Sequence, residues 1–332
     1  MKYRPLGRTG VRVSELCFGT MQFGSDADEE TSARMYAAGR DAGINFFDTA
    51  NNYSGGASER ILGHLIKGHR DELIIATKCY SPEGDDINAR GASRRHMVRG
   101  VEASLKRLGT DRVDILFLHQ FDRLTPIEEQ MRGLEDLVRS GKVLYPAASN
   151  YSAWQTMEAI AAQRRHGWAR LQVVEPMYNL VKRQAEVEIL PMAETHGISV
   201  IPYSPTGGGL LSGKYAGGGD NNRGRLHTNT MYTVRYEEQW MHEVAARFTA
   251  FCAERGLHPV STAVAWVGAH PAVTAPIIGA RNVEQLRASL DSLSIDMTPA
   301  LRAEISALSR TPPPATDRSE ELKRQSGPSS GP

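Results

Sequence analysis

The sequence predicts a (β/α)8 TIM barrel, on three observations. Apolar runs of strand length recur about eight times along 332 residues, amphipathic helix-like stretches separate them, and no G-x-G-x-x-G follows any run, which argues against a doubly wound sheet. Most of the runs are continuous rather than alternating, as strands covered on both faces require.

In chain order, residues 2–13 carry a turn signal at Gly7-Arg8-Thr9-Gly10 and read as a small hairpin ahead of the main fold. The strand candidates are 15–18, 44–47, 73–77, 113–118, 143–148, 171–174, 199–202 and 275–278. Run 44–47 starts directly after Gly43, a helix-ending residue, and 57–65 reads as a helix. Met97, Val101, Leu105 and Leu108 share one helical face, and Gly109 ends that helix. Thr125-Pro126-Ile127-Glu128 suggests a capping box with proline at the first helical position, closed by Ser140-Gly141. Asn282 with Gln285 suggests a cap on the helix after the last strand.

The domain reading is one barrel domain over 1–311, with extra C-terminal helices, and a flexible Pro/Ser/Gly-rich tail over 312–332, in part a cloning remnant. Residues 204–230 are rich in Gly and Asn and too long for an ordinary connection, so they read as a functional loop.

Composition narrows the partners. Lys+Arg total 39 against 38 Asp+Glu, a formal charge of +1, so neither nucleic acid nor a membrane surface is expected. The N-terminus lacks the apolar core of a signal peptide and no apolar run approaches membrane-spanning length. Cys17, Cys79 and Cys252 are scattered, which suits a reducing cytoplasm. The expected partner is a small molecule, and the chain is read as a monomer or homo-oligomer.

In a barrel, catalytic groups lie at or just beyond the C-terminal strand ends. Those positions hold Gly19-Thr20, Asp48, Lys78, His119, Ser149-Asn150, Glu175, Tyr203-Ser204 and Gly279-Ala280-Arg281. Asp48, Lys78 and His119 end consecutive strands, and Tyr53 stands in the Gly/Ser/Asn-rich loop after Asp48. A tyrosine has an ordinary pKa of about 10, too weak an acid near neutrality. A Lys78 cation beside it would favour the phenolate, Asp48 would keep that lysine charged, and His119 would hydrogen-bond a substrate oxygen. Such a set delivers a proton to a carbonyl and needs a hydride source. No His/Cys/Asp grouping has metal-ligand spacing. The segment 208–214 imitates a phosphate-binding P-loop as far as Lys214, but Tyr215 follows where Ser or Thr would hold magnesium.

These residues resemble a known family. PLGRTGVRVSELCFGTM, FDTANNYSGGASERILG, IIATK, SLKRLGTDRVDILFLH, GKV with ASN, YSPTGGGLLSGKY and IIGARNVEQL are similar to aldo-keto reductases, in the bacterial branch related to the β subunits of voltage-gated potassium channels. The resemblance implies an NADPH-dependent carbonyl reductase, with NADH the less favoured cofactor. It makes Tyr53 the general acid, Lys78 and Asp48 its tuning pair, and His119 the orienting group. It gives Ser149, Asn150 and Gln172 to the nicotinamide carboxamide and Tyr203 to its ring. Ser204, Pro205, Thr206, Gly207, Leu210 and Lys214 would fold over the pyrophosphate, with Arg225, Arg281 and Gln285 toward the adenosine and Gly19, Thr20, Met21 and Gly279 completing the cofactor site. Met21, Tyr80, Gln120, Phe121 and Tyr178 are the pocket candidates beside Tyr53 and His119.

The chain departs from the family's usual pattern at Ala288 and Ser289, at Thr206, and at Pro146-Ala147, where a proline inside a parallel strand predicts a bulge or altered edge. The alternative readings are a cofactor-binding regulatory subunit without turnover, a Schiff-base aldolase using Lys78, and a barrel with decayed cofactor binding, which Ala288 and Ser289 motivate.

Overall fold

A computed structural model describes residues 1–215 and 224–316. Strands β1 (Tyr3–Pro5) and β2 (Arg12–Ser14) form the expected antiparallel hairpin, with Tyr3 opposite Ser14. Eight parallel strands follow: β3 (Cys17–Gly19), β4 (Phe46–Asp48), β5 (Ile74–Cys79), β6 (Val113–Leu118), β7 (Val143–Ser149), β8 (Val173–Glu175), β9 (Ser199–Val200) and β10 (Ile277–Ile278). Their sheet order is β10-β3-β4-β5-β6-β7-β8-β9, so neighbours in sequence are neighbours in space. A parallel bridge between Val200 and Val273 joins the last two edges. There Thr274 N–H donates to Val200 O at 2.8 Å and Ile277 N–H to Pro202 O at 2.9 Å. The sheet is thereby closed into the (β/α)8 barrel that the sequence predicts.

One helix layer surrounds it. Helices α1 (Glu29–Asp41), α2 (Ala57–Leu65), α3 (Arg94–Leu108), α4 (Ile127–Arg139), α5 (Ala153–His166) and α6 (Ile189–His196) follow β3 to β8 in turn. The β9–β10 connection carries the short α7 (Arg225–Thr228) and α8 (Thr230–Arg235), then α9 (Gln239–Glu254) and α10 (Pro259–Gly268). After β10 come α11 (Val283–Leu290) and the extra C-terminal α12 (Pro299–Ala307). The end of the expected tail, 317–332, and part of the expected functional loop, 216–223, lie outside the described residues.

Local sequence explains most helix ends. The side chain of Asn282 accepts from Gln285 N–H to cap α11, and Gly109 ends α3 at φ 64° with Met97, Val101, Leu105 and Leu108 buried beneath it. The capping box expected at α4 does not form. Pro126 itself occupies the cap position, without a side-chain bond, and the Thr125 hydroxyl donates to Asp122 Oδ2 at 2.7 Å. Nor does Pro146 create a bulge. β7 runs unbroken opposite β6, with Leu116 facing Pro146 in the same register as Val113 facing Val143, and Pro146 O still accepts from Gln172 N–H at 3.0 Å. In a parallel ladder a proline forfeits one donor and leaves its acceptor in place.

The core has two compartments. Between strands and helices lies a continuous apolar layer around Phe18, Phe47, Met35 and Leu116. Inside the barrel lies a second cluster that includes Phe46, Phe117, Val173 and Ile201. Each buried phenylalanine there contributes roughly 1.5–3 kcal/mol of transfer free energy. Leu6 and Val13 of the hairpin belong to this inner cluster and are fully buried, so the hairpin stops the foot of the barrel.

α2 meets α3 through Gly63, where an added Cβ would lie 2.6 Å from Leu108 O and 2.8 Å from Arg107 O. The Gly63→Ala variant is therefore expected to lose roughly 1–3 kcal/mol of stability, read from urea unfolding; an unchanged midpoint would show that the two helices separate without cost.

Candidate active site

Alternation along each barrel strand puts every second side chain inside. The inner core residues Phe46, Ala76, Phe117, Ala147, Val173 and Ile201 are each followed, two residues on, by Asp48, Lys78, His119, Ser149, Glu175 and Tyr203. The C-terminal mouth is thus lined by one layer of polar side chains resting on an apolar floor.

At its centre Lys78, 0% exposed, donates to Asp48 Oδ1 and Oδ2 at 2.5 Å each and to Thr49 O at 3.0 Å. Its ammonium also lies 3.4 Å from Glu175 Oε2, 5.2 Å from the Tyr53 ring centre and 5.7 Å from that of Phe117. Burial works against that ammonium, yet Asp48, Glu175 and Tyr53 together hold its pKa well above the usual lysine value. Burial raises Asp48 as well, against the pull of Lys78. Burial pushes Glu175 up to about 8, the Lys78 charge opposing it and Asp48 adding to it. The imidazole of His119 stands edge-on to Tyr53 with ring centres 6.2 Å apart. Desolvation, helped by the Lys78 charge, brings its pKa down to about 3, so it is neutral across the physiological range.

The expectation for Tyr53 needs correction. Lys78 does lower its pKa, but burial outweighs that effect, and Asp48 and Glu175 oppose it, so the phenol is pushed up in this protein. The side chain belongs to a tight turn, Tyr53–Gly56, in which Ser54, Gly55 and Gly56 all have positive φ. Glycine at the last two positions makes that turn accessible.

Beside this set, Asn150 adopts φ 58° and donates to His119 O at 3.0 Å, while Tyr203 OH donates to Asn150 Oδ1 at 2.7 Å. Ser149 Oγ donates to Glu175 O at 3.2 Å. Beyond Tyr203, Gly207, Gly208 and Gly209 run in left-handed conformation. A Cβ at Gly208 would lie 2.6 Å from Tyr232, and one at Gly209 would lie 2.8 Å from Lys214 Nζ. Arg225 and Arg281 stand close enough to Lys214 to lower its pKa, after desolvation. Arg281 Nε is 2.9 Å from Asp26 Oδ2, and its N–H donates to Gln285 Oε1 at 3.1 Å.

The Aldo/keto reductase family profile matches residues 15–310. The chain belongs to that family. It is 39% identical over 308 residues to an uncharacterized oxidoreductase, YrpG, of Bacillus subtilis, covering 90% of this chain and 92% of the other. It is 35% identical over 332 residues to a versiconal hemiacetal acetate reductase of Aspergillus parasiticus, covering 90% and 94%. To a probable voltage-gated potassium channel subunit beta of Oryza sativa subsp. japonica it is 32% identical over 327 residues, covering 96% and 99%. Among the described residues no helix is long and apolar enough to cross a membrane, and no group of three or more His, Cys, Asp or Glu could hold a metal ion.

This aldo/keto reductase distributes the remaining sequence-predicted residues unevenly. Gly19 and Gly279 face each other across β3 and β10, an added Cβ on Gly279 lying 3.7 Å from Gly19 O. The Thr20 hydroxyl is committed to Asp48 O at 3.0 Å and Ser58 at 2.8 Å, so it braces β4 and α2. Ser204 follows Tyr203 at φ 58°, its carbonyl accepting from Asn179 at 2.9 Å; Pro205 and Leu210 are buried, and Thr206 O accepts from Gly209 and Leu211. Phe121 packs edge-on to Tyr151 and Trp154; Met21 and Tyr80 are half-buried, and Gln120 is exposed.

Two assignments fall away. The side chain of Gln172 lies at the foot, its Oε1 3.2 Å from where a Cβ on Gly7 would stand, so it is turned away from the mouth; the side chain of β8 that reaches the mouth is Glu175. Tyr178 is core rather than pocket. It is fully buried, donates to Glu186 at 2.6 Å, accepts from Arg302 at 2.9 Å and packs tilted against Trp266.

Sequence reasoning also missed Arg235, whose guanidinium lies 5.8 Å from the Tyr203 ring and 5.2 Å from that of Tyr232, and the support beneath the Tyr53 turn. There the buried Glu59 accepts from Arg107 Nε at 2.5 Å and from Thr77 at 2.6 Å. Arg107 also reaches Glu83 at 3.3 Å, which accepts from Asn51 at 2.7 Å. Removing the guanidinium leaves Glu59 buried without its countercharge. Arg107→Ala is expected to cost about 2–4 kcal/mol in urea unfolding, and adding Glu59→Gln to restore part of it; a loss below about 0.5 kcal/mol would mean the pair carries no structural weight.

Proposed function

We propose that this protein reduces an aldehyde or ketone to the alcohol with NADPH, Tyr53 delivering the proton. The juxtaposition of Tyr53, from the turn after β4, with the inward-facing Asp48, Lys78 and His119 carries this reading. The mouth fits a nicotinamide dinucleotide: Glu175 Oε2 and His119 Nδ1 are buried there without hydrogen-bond partners. The three-glycine run leaves room for close approach, and Lys214, Arg225 and Arg281 gather positive charge at one end. When bound, the cofactor supplies the hydride.

The residues divide the remaining work. Neutral His119 offers a hydrogen bond to the carbonyl oxygen rather than a proton, consistent with its low pKa. Tyr53, held as the neutral phenol, is the proton source, and the Lys78 ammonium stabilises the phenolate left behind. Asp48 keeps that ammonium charged and aimed. Ser149 and Asn150 hold the carboxamide, Tyr203 backs the ring, and the cations around Arg281 suit a 2′-phosphate, which favours NADPH over NADH. Apolar side chains on the loops and helix at the mouth, among them Leu124 at 95% exposure and Trp154 at 63%, suit an apolar carbonyl substrate. The likeness to channel β subunits supports a second reading, a cofactor-binding regulatory subunit; the complete proton-delivery set favours turnover.

Tyr53→Phe is expected to lower kcat by about 10²–10⁴-fold, with NADPH still quenching the tryptophan fluorescence at the same concentrations. Retained turnover would remove Tyr53 from its role, and an inactive wild type that binds NADPH would favour the regulatory reading. Arg281→Met is expected to weaken NADPH about 10–100-fold and NADH little; equal losses for both would place the 2′-phosphate elsewhere.

A further inference from the structure

Glu175 is a buried charged side chain of the mouth to which the reading above gives no task. It ends β8 on the inward face, opposite Ser149 in register, and is 3% exposed. Its backbone carbonyl accepts from Asn150 N–H and from Ser149 Oγ, both at 3.2 Å, so it fixes the two residues assigned to the carboxamide. Its Oε2 makes no hydrogen bond and stands 3.4 Å from the Lys78 ammonium, whose two 2.5 Å carboxylate bonds go to Asp48. One buried cation therefore faces two buried carboxylates, and with both ionised the site carries an uncompensated negative charge. A nicotinamide ring is cationic when oxidised and neutral when reduced.

We propose that Glu175 sets the balance between the two redox forms of the cofactor, its carboxylate favouring the oxidised, cationic ring over the reduced, neutral one. This rests on the carbonyl-reductase reading of the same site. The groups that face Glu175 are Cys17 from β3, Asp48 from β4, Tyr53 from the following turn, Lys78 from β5, Ser149 from β7 and Tyr203 beyond β9. The Cys17 thiol and both phenols are pushed up by burial, and Lys78 stays charged. Asp48, holding both short bonds to Lys78, ionises first. Glu175, raised to about 8, is then the group that changes charge between neutral and mildly alkaline pH. Below that value it carries a proton and the two redox forms are not distinguished by charge. Above it the carboxylate attracts the oxidised ring. Binding of the oxidised form at neutral pH must therefore expel a proton, and its relative affinity must rise with pH.

The test is the ratio of the NADPH and NADP+ dissociation constants between about pH 6.5 and about pH 9, for wild type and Glu175→Gln. The 2′-phosphate is common to both nucleotides and cancels. The wild-type ratio is expected to move about tenfold toward NADP+ across that window and the variant's to stay flat. A flat wild-type ratio, or a slope that survives in Glu175→Gln, overturns the proposal. Wild type alone also decides it if the variant does not fold: at about pH 7, calorimetry in two buffers of different ionisation enthalpy must show more proton release with NADP+ than with NADPH. Equal release overturns it. Failure of wild type to bind either nucleotide would remove the reductase reading and this proposal together, whereas binding with a flat ratio removes this proposal only.

Discussion

A buried ammonium governs this structure. Lys78 has no exposed surface, and an uncompensated charge in that position costs several kcal/mol. Its countercharge must therefore be supplied by the fold, which means that β4 and β5 pair with Ala76 opposite Asp48, so that Lys78, two residues on, meets the Asp48 carboxylate at the mouth. The backbone carbonyl of Thr49 takes a third bond and draws the start of the tyrosine loop over the same point. Register, loop entry and charge balance are thus one constraint met three ways. Polar residues form the top layer because the layer below is filled by Phe46, Ala76, Phe117 and Val173, leaving the strand ends as the place where charged groups meet both protein and solvent.

Around that point the chain spends much of its irregular backbone. The Tyr53 turn strings together three positive-φ residues, and the segment after Tyr203 strings together Gly207, Gly208 and Gly209. Both are anchored from outside the barrel, the first by Arg107 of α3 through Glu59 and Glu83, the second by Asn179 and the Tyr232 ring. Strained loops on rigid strands, held from behind by buried pairs, present few side chains with fixed aim.

Much of this was legible in the sequence. All eight barrel strands announce themselves as apolar runs bounded by turn residues, because both of their faces are covered; the same property hides which face is which. With no alternation to read, 171–174 shows that a strand is present but not which of its residues points inward, and Gln172 and Glu175 exchange roles on that account. Counting back by twos from the mouth, as Asp48 to Phe46 and Lys78 to Ala76, selects Glu175, already among the strand-end positions, over Gln172. The acidity of Tyr53 was misjudged for another reason: a neighbouring cation can be read from strand ends, whereas depth of burial arises only once α2, the turn and the barrel mouth close together. Tyr178 sits near the site in sequence yet belongs to the packing of Trp266 and Arg302, far along the chain, and nothing local foretells that.

The hairpin gives the barrel a closed end. Leu6 and Val13 fill the foot, so among the described residues the polar layer around Lys78 faces the opposite end of the barrel. Met1 lies beside that closed end, packing near Gly43 just ahead of β4. A tether joined ahead of Met1 would hold the molecule by its base, with the opening turned toward the liquid. For surface-bound or flow applications, attachment near Met1 keeps the handle at the foot, and the loops of the opposite rim are the part to leave untouched.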